Sequence, residues 1–114
     1  MKIAIVGSRS ITEIDLKQYI SICDEIVSGG ARGVDFCAAE YAKENNIKLT
    51  EFLPEYTRYG KAAPIIRNKQ IVDYADEVLI FWDGKSKGTL SVIKYAEKSK
   101  KPCKIIILQQ KTSP

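Results

Sequence analysis

Residues 2–9, KIAIVGSR, and residues 25–35, EIVSGGARGVD, decide the fold. Each opens as a short apolar run and closes on glycine and small polar residues. Lys2–Val6 is apolar at successive rather than alternate positions, as a central strand covered on both faces must be. Glu25–Ser28 reads as a second strand running straight into Gly29-Gly30-Ala31-Arg32-Gly33, and a helical period begins at Val34. A strand, a glycine turn and then a helix is the unit of a parallel sheet whose crossovers carry helices across its faces.

The same alternation continues along the chain. After the first strand, Thr12 is placed to cap a helix, with Asp15 three residues on as an acidic capping box. Ile11 and Leu16 flank that cap, and Leu16, Tyr19, Ile20 and Cys23 form its inward stripe. The helix from Val34 buries Val34, Ala38, Tyr41 and Ala42 and stops at Asn45-Asn46, residues that tolerate a left-handed cap. Ile47–Leu53 is a third strand closed by Pro54, and residues 55–63 lack a period. Pro64 suits the first turn of a helix reaching about Ala75. Val78–Trp82 is the fourth strand, Thr89–Lys100 the last helix and Lys104–Leu108 the fifth strand. The expected architecture is a Rossmann-like three-layer α/β sandwich: a five-stranded parallel sheet in the order 3-2-1-4-5, with helices on both faces. Residues 1–110 form the single domain, and 111–114 a frayed tail.

Composition removes several function classes. The 114 residues include no histidine, the commonest general base and metal ligand, and the three cysteines lack ligand spacing. The sequence therefore calls for neither a metal nor a cofactor. Cys23 and Cys37 sit in apolar stretches expected to be helical and read as buried thiols of a reducing compartment. The apolar run before Gly7 is too short for a signal peptide and no stretch approaches a membrane span, which points to a cytoplasmic protein. Of the +4 net charge, residues 84–114 supply eight lysines against one acid. A solvated lysine face accounts for this; attraction of phosphate-rich partners is the sharper alternative.

The chemistry lies in three loops that follow strands directly: Gly7-Ser8-Arg9, Gly29–Gly33 and Asp83–Gly88. In an open parallel sheet all three leave the carboxyl edge, where ligands bind. Two of them enter helix N-termini, whose free N–H groups attract anions, and glycine lets a phosphate approach the backbone. Neither the dinucleotide GxGxxG spacing nor the Walker GxxxxGK[ST] pattern is present. The candidate ligand-binding residues are Gly7, Ser8, Arg9, Gly29, Gly30, Arg32, Gly33, Asp35, Arg67, Asn68, Trp82, Asp83, Gly84, Ser86, Gly88 and Thr89. Asp35 either complements a helix dipole or meets a ribose hydroxyl. Ser8 has no histidine to activate it, so a hydrogen-bonding role is expected. On the third helix Asn68 falls near the centre of the stripe formed by Ile65, Ile71, Val72 and Ala75, whereas Arg67 points to the flank as a surface arginine does. Arg67 is accordingly expected to be removable without cost to the fold. Tyr56, Tyr59 and Trp82 are available to stack on a base, although Trp82 also fits as the end of a buried strand.

Taken together, IAIVGSR (3–9) and SGGARGVD (28–35) resemble the opening of the SLOG superfamily, which includes DNA-processing protein A and the Lonely Guy phosphoribohydrolases. The pattern of its small YspA/YpsA-related branch continues through Pro54, Tyr59-Gly60-Lys61, Arg67-Asn68, Ala75-Asp76, Phe81-Trp82-Asp83-Gly84 and Ser86-Lys87-Gly88-Thr89. The resemblance implies a Rossmann-like fold and a nucleotide-derived ligand, and it makes Arg67 and Asp83 the candidate catalytic residues. In the Lonely Guy pattern, PGGxGTxxE, the glutamate acts on the ribose. Here Gly88-Thr89 match, the Pro-Gly pair is missing, and Val92 stands where the glutamate would be, a departure that weighs against phosphoribohydrolase activity. The favoured expectation is a domain that binds or senses a nucleotide-like small molecule, phosphate- or ADP-ribose-like, without chemistry of its own. The alternatives are hydrolysis of an N-glycosidic bond and, less favoured, single-stranded DNA binding. No membrane partner is expected, and homo-oligomerisation is left open.

Overall fold

The computed structural model describes residues 1–20 and 22–108. Five strands, β1 (Lys2–Gly7), β2 (Glu25–Ser28), β3 (Lys48–Glu51), β4 (Glu77–Trp82) and β5 (Cys103–Ile107), form one sheet in the order β3-β2-β1-β4-β5. All four pairings are parallel. β1 lies at the centre with Ile3, Ala4, Ile5 and Val6 all buried, and its uninterrupted apolar run reflects cover on both faces. The helices are α1 (Val34–Glu44), the single turn α2 (Tyr56–Tyr59), α3 (Ala63–Tyr74) and α4 (Lys87–Lys98). On one face α1 packs Val34, Ala38 and Ala42 against Ile3, Ile5, Ile26 and Phe81. On the other, α3 and α4 bring Ile71, Val72, Val92, Ile93 and Ala96 onto Ala4, Val6, Val27 and Ile80. The expected Rossmann-like three-layer arrangement is the one observed.

The helix expected after Thr12 does not form. Its place is taken by an irregular segment with one 3-10 turn at Leu16–Gln18. Ile11, Leu16 and Ile20 are nevertheless buried against the sheet. The β-branched Ile11, Thr12 and Ile14 favour extended backbone, and three apolar anchors suffice to cover this flank without a helical ladder. Thr12 caps nothing; its carbonyl accepts from the Cys37 thiol at 3.3 Å. Cys23 consequently lies outside any helix, and all three cysteines are free and only half-buried rather than buried. Elsewhere the boundaries move by a residue or two. Asn46 does adopt the left-handed cap, with φ of 54°. The segment expected to be irregular after Pro54 carries α2 and a 3-10 turn at Gly60–Ala62. No helix of the described residues is long and apolar enough to cross a membrane. The tail at 111–114 lies outside the described residues.

Candidate functional site

The parallel sheet places the loops after β1, β2 and β4 at one edge, and the glycines let them touch. Gly33 has φ of 75° and ψ of −124°, and a Cβ there would stand 2.7 Å from the Ser8 and Arg9 carbonyl oxygens. Only glycine combines that backbone with that approach. The second loop is thereby seated on the first. Gly29 serves differently: a Cβ on it would lie 2.6 Å from Arg67 Nη1 and 2.9 Å from Asp35 Oδ2. It is the gap through which α3 and α1 bring a guanidinium and a carboxylate near each other.

A cavity of about 400 Å³ opens at this edge, lined by Gly7, Arg9, Asp35, Arg67, Asn68, Asp83, Ser86, Gly88 and Thr89 among the expected residues. Val6, Ser10, Ala31, Pro64, Ile71 and Val92 complete its wall. A second hollow of about 610 Å³ adjoins it, sharing Arg9 and Ala31, and takes in Gly30, Arg32 and Gly33 together with Thr12 and Phe36. Four expected residues stand behind or beside the cavity rather than on it. Ser8 is fully buried; its Oγ accepts from Asp83 N at 3.1 Å and lies 3.3 Å from Thr89 Oγ1. It ties the β1 loop to the β4 loop, in line with the hydrogen-bonding role expected of it. Gly29 is the buried spacer already described. Gly84, with φ of 82°, turns the exposed β4 loop. Trp82 donates Nε1–H to the Ser86 carbonyl at 3.1 Å and packs against the α3–α4 core. It finishes a strand.

Arg67, expected on the flank of α3, lies on its inward face, and Asn68 beside it is half-buried, accepts from Arg67 and lines the cavity. The inward stripe of α3 is Ala63, Arg67, Ile71 and Val72, whereas Ile65 is half-exposed at 50%. The stripe read from the sequence took in Ile65 beside Ile71, Val72 and Ala75, which placed Asn68 near its centre and Arg67 on the flank. Arg67 is only 8% exposed. Its Nη1 donates to the Gly29 carbonyl at 2.7 Å and, at 3.4 Å, to that of Phe52; its Nε donates to Asn68 Oδ1 at 2.9 Å. It is therefore not a removable surface arginine. Nη2 has no acceptor among the described residues.

The two carboxylates of the cavity have opposite environments. Asp83 Oδ1 accepts from the Lys85 and Ser86 amides, each at 2.8 Å, and Oδ2 from Ser10 Oγ at 2.7 Å. These bonds, that from Ser10 foremost, hold its carboxyl down at about 2. It shapes the loop in which Ser86 Oγ caps α4 through the Thr89 amide at 3.3 Å. Asp35 is 7% exposed, and desolvation pushes its carboxyl up against the opposing effects of the Ala31 N–H, Arg67 and Ser28. Ser28 Oγ is buried close to this carboxylate but reaches hydrogen-bond geometry with no described residue. A sheet-edge loop is thus a poor place for a raised carboxyl at Asp83, but the first turn of α1 is not. Desolvation likewise lowers Arg67, with Asp35 opposing and Arg9 adding to the effect. Arg9, Arg32 and Arg67 have no carboxylate within 4.0 Å among the described residues.

Phe36 and Ser10 are among the lining residues that sequence reasoning missed. The signal for Phe36 was present: it is a large apolar side chain lying off the inward stripe of its helix. Ser10 carried none, because its contact with Asp83 joins two loops distant in sequence. Comparison with family models, curated proteins and solved structures finds no match for this chain.

Proposed function

We propose that this chain binds a nucleotide-derived small ligand, phosphate- or ADP-ribose-like, in the cavity at the carboxyl edge of the sheet. One observation carries the reading: the buried Arg67 guanidinium forms part of the cavity wall, with Nη2 unpartnered among the described residues and Arg9 near enough to repel it. A desolvated cation beside a second cation is stabilised by an anion between them. The α4 N-terminus and the glycine loops supply further donors on the same wall. The resemblance to the SLOG superfamily points to the same class of ligand. Lys85 and Lys87 flank the cavity residue Ser86, but the other six lysines of residues 84–114 lie from Lys94 onward. Those among the described residues line no part of the cavity, which leaves single-stranded DNA the weaker candidate.

A second reading, hydrolysis of an N-glycosidic bond, draws on Asp35. A buried carboxyl with a raised pKa is the group that general acid catalysis needs near neutral pH. Asp83, held ionised by three hydrogen bonds, cannot serve as that acid. Calorimetric titration with ADP-ribose and AMP, beside a salt series with a single-stranded oligonucleotide, separates these functions. Nucleotide binding without release of free base supports the proposal. Base release that disappears in Asp35→Asn moves the function to hydrolysis, and tight oligonucleotide binding with a steep salt dependence moves it to DNA.

A further inference from the structure

Phe36 belongs to neither of the two core clusters. It stands in the first turn of α1, 60% exposed, while Val34, Ala38 and Ala42 take the inward face. Phe36 lines the 610 Å³ hollow with Arg9 and Arg32, a volume within the range of small-molecule sites. That hollow adjoins the 400 Å³ cavity, with Arg9 and Ala31 on the boundary between them. Of the other aromatics expected at the edge, Trp82 is committed to Ser86 and the core, and Tyr56 and Tyr59 line neither hollow. Phe36 is therefore the aromatic side chain placed to meet a planar group entering from the cavity.

We propose that this hollow is a nucleobase subsite, in which the base stacks on Phe36 and Arg9 and Arg32 hold the phosphates leading from it into the neighbouring cavity. The inference rests on the nucleotide reading above and narrows it. An aromatic face beside guanidinium groups recognises a base by stacking and its phosphates by charge. Arg9, common to both compartments, is positioned for the linking phosphates. Two adjacent compartments that share Arg9 fit a ligand longer than a mononucleotide, with a base at one end and a phosphorylated sugar at the other. The occupant is a free dinucleotide-like molecule of the ADP-ribose class.

The test is titration calorimetry of the full chain with ADP-ribose and with ribose 5-phosphate, which lacks the base. Phe36→Ala is expected to weaken ADP-ribose by roughly five- to a hundredfold, the usual range for loss of one base stack, and to leave ribose 5-phosphate unchanged. Phe36→Trp is expected to retain ADP-ribose binding. Because Phe36 is exposed, both variants should melt with the wild type. Equal ADP-ribose affinity in Phe36→Ala overturns the subsite. If wild type binds ribose 5-phosphate as tightly as ADP-ribose, the subsite fails while the phosphate site stands. If neither ligand binds, the functional reading fails and takes the subsite with it. Oligothymidylate bound more tightly than ADP-ribose, and dependent on Phe36, would replace the free ligand by a strand and overturn the proposal.

Discussion

Replacing Arg67 by methionine separates a buried structural cation from a surface one. Methionine has similar length and flexibility, so the pocket under α3 stays filled, and the loss is confined to charge and hydrogen bonds. The principal bond removed is Nη1 to the Gly29 carbonyl at 2.7 Å, and the Asp35 carboxylate loses its nearby positive charge. A hydrogen bond to a charged group contributes about 1.5–3 kcal/mol, and relief of the guanidinium's desolvation offsets part of the loss. A net cost of about 2 kcal/mol follows. With an unfolding entropy near 2.1 cal/mol/K per residue, a domain of this length should melt about 8 °C lower. The same substitution removes the cation proposed to meet the ligand's phosphate, so ADP-ribose affinity should fall roughly ten- to a hundredfold. Thermal melts by circular dichroism, with and without ADP-ribose, read both effects, because ligand binding raises the midpoint by mass action. A variant that melts with wild type and keeps its ligand-induced shift would refute the placement of Arg67.

Other substitutions probe the loops and the two carboxylates. Gly33→Ala forces a side chain into a glycine-only backbone and against the Ser8 and Arg9 carbonyls; it should cost on the order of 3 kcal/mol in chemical denaturation and abolish ligand binding. Normal stability would mean the loops are not seated on one another. Because burial raises the Asp35 carboxyl above its ordinary 3.8, the unfolded chain releases its proton first, and wild type loses stability as pH rises through the raised value. The stability of Asp35→Asn relative to wild type should therefore improve between about pH 3 and about pH 7 in parallel urea titrations; a change in the opposite direction contradicts the burial argument. Asp83 has the reverse sign. Its carboxyl is depressed from 3.8 to about 2, so its contribution is present above the ordinary range and is lost as pH falls toward the depressed value. Asp83→Asn should cost about 1–2 kcal/mol at neutral pH, with the gap closing in acid; a gap that persists at low pH would assign the loss to packing.

The sheet order and both faces were legible because the deciding signals are local. An unbroken apolar run in β1 and glycine directly after two strands admit few topologies. What failed was the helix expected after Thr12, where a capping pattern was outweighed by β-branched residues and by three anchors that needed no helical ladder. Arg67 was misplaced for a related reason. Ile71, Val72 and Ala75 are buried as expected, but counting the half-exposed Ile65 as core shifted the stripe's edge away from Arg67. The convergence of Arg9, Asp35, Asp83 and Thr89 on one cavity followed from the shared carboxyl edge. The division of labour between the two aspartates did not, because it depends on contacts from Ser10, Ala31 and Arg67 that cross between separate segments of the chain.

The most direct measurement of the central claim is a ¹H–¹⁵N correlation titration of the labelled chain with ADP-ribose. Saturable shifts are expected at the amides of Gly7–Ser10, Ala31–Phe36 and Asp83–Thr89 and at the Arg67 side chain, the segments that carry most of the residues lining the two adjacent compartments. Shifts confined to the lysine face of α4 and β5, or none at all at saturating ligand, would contradict the account.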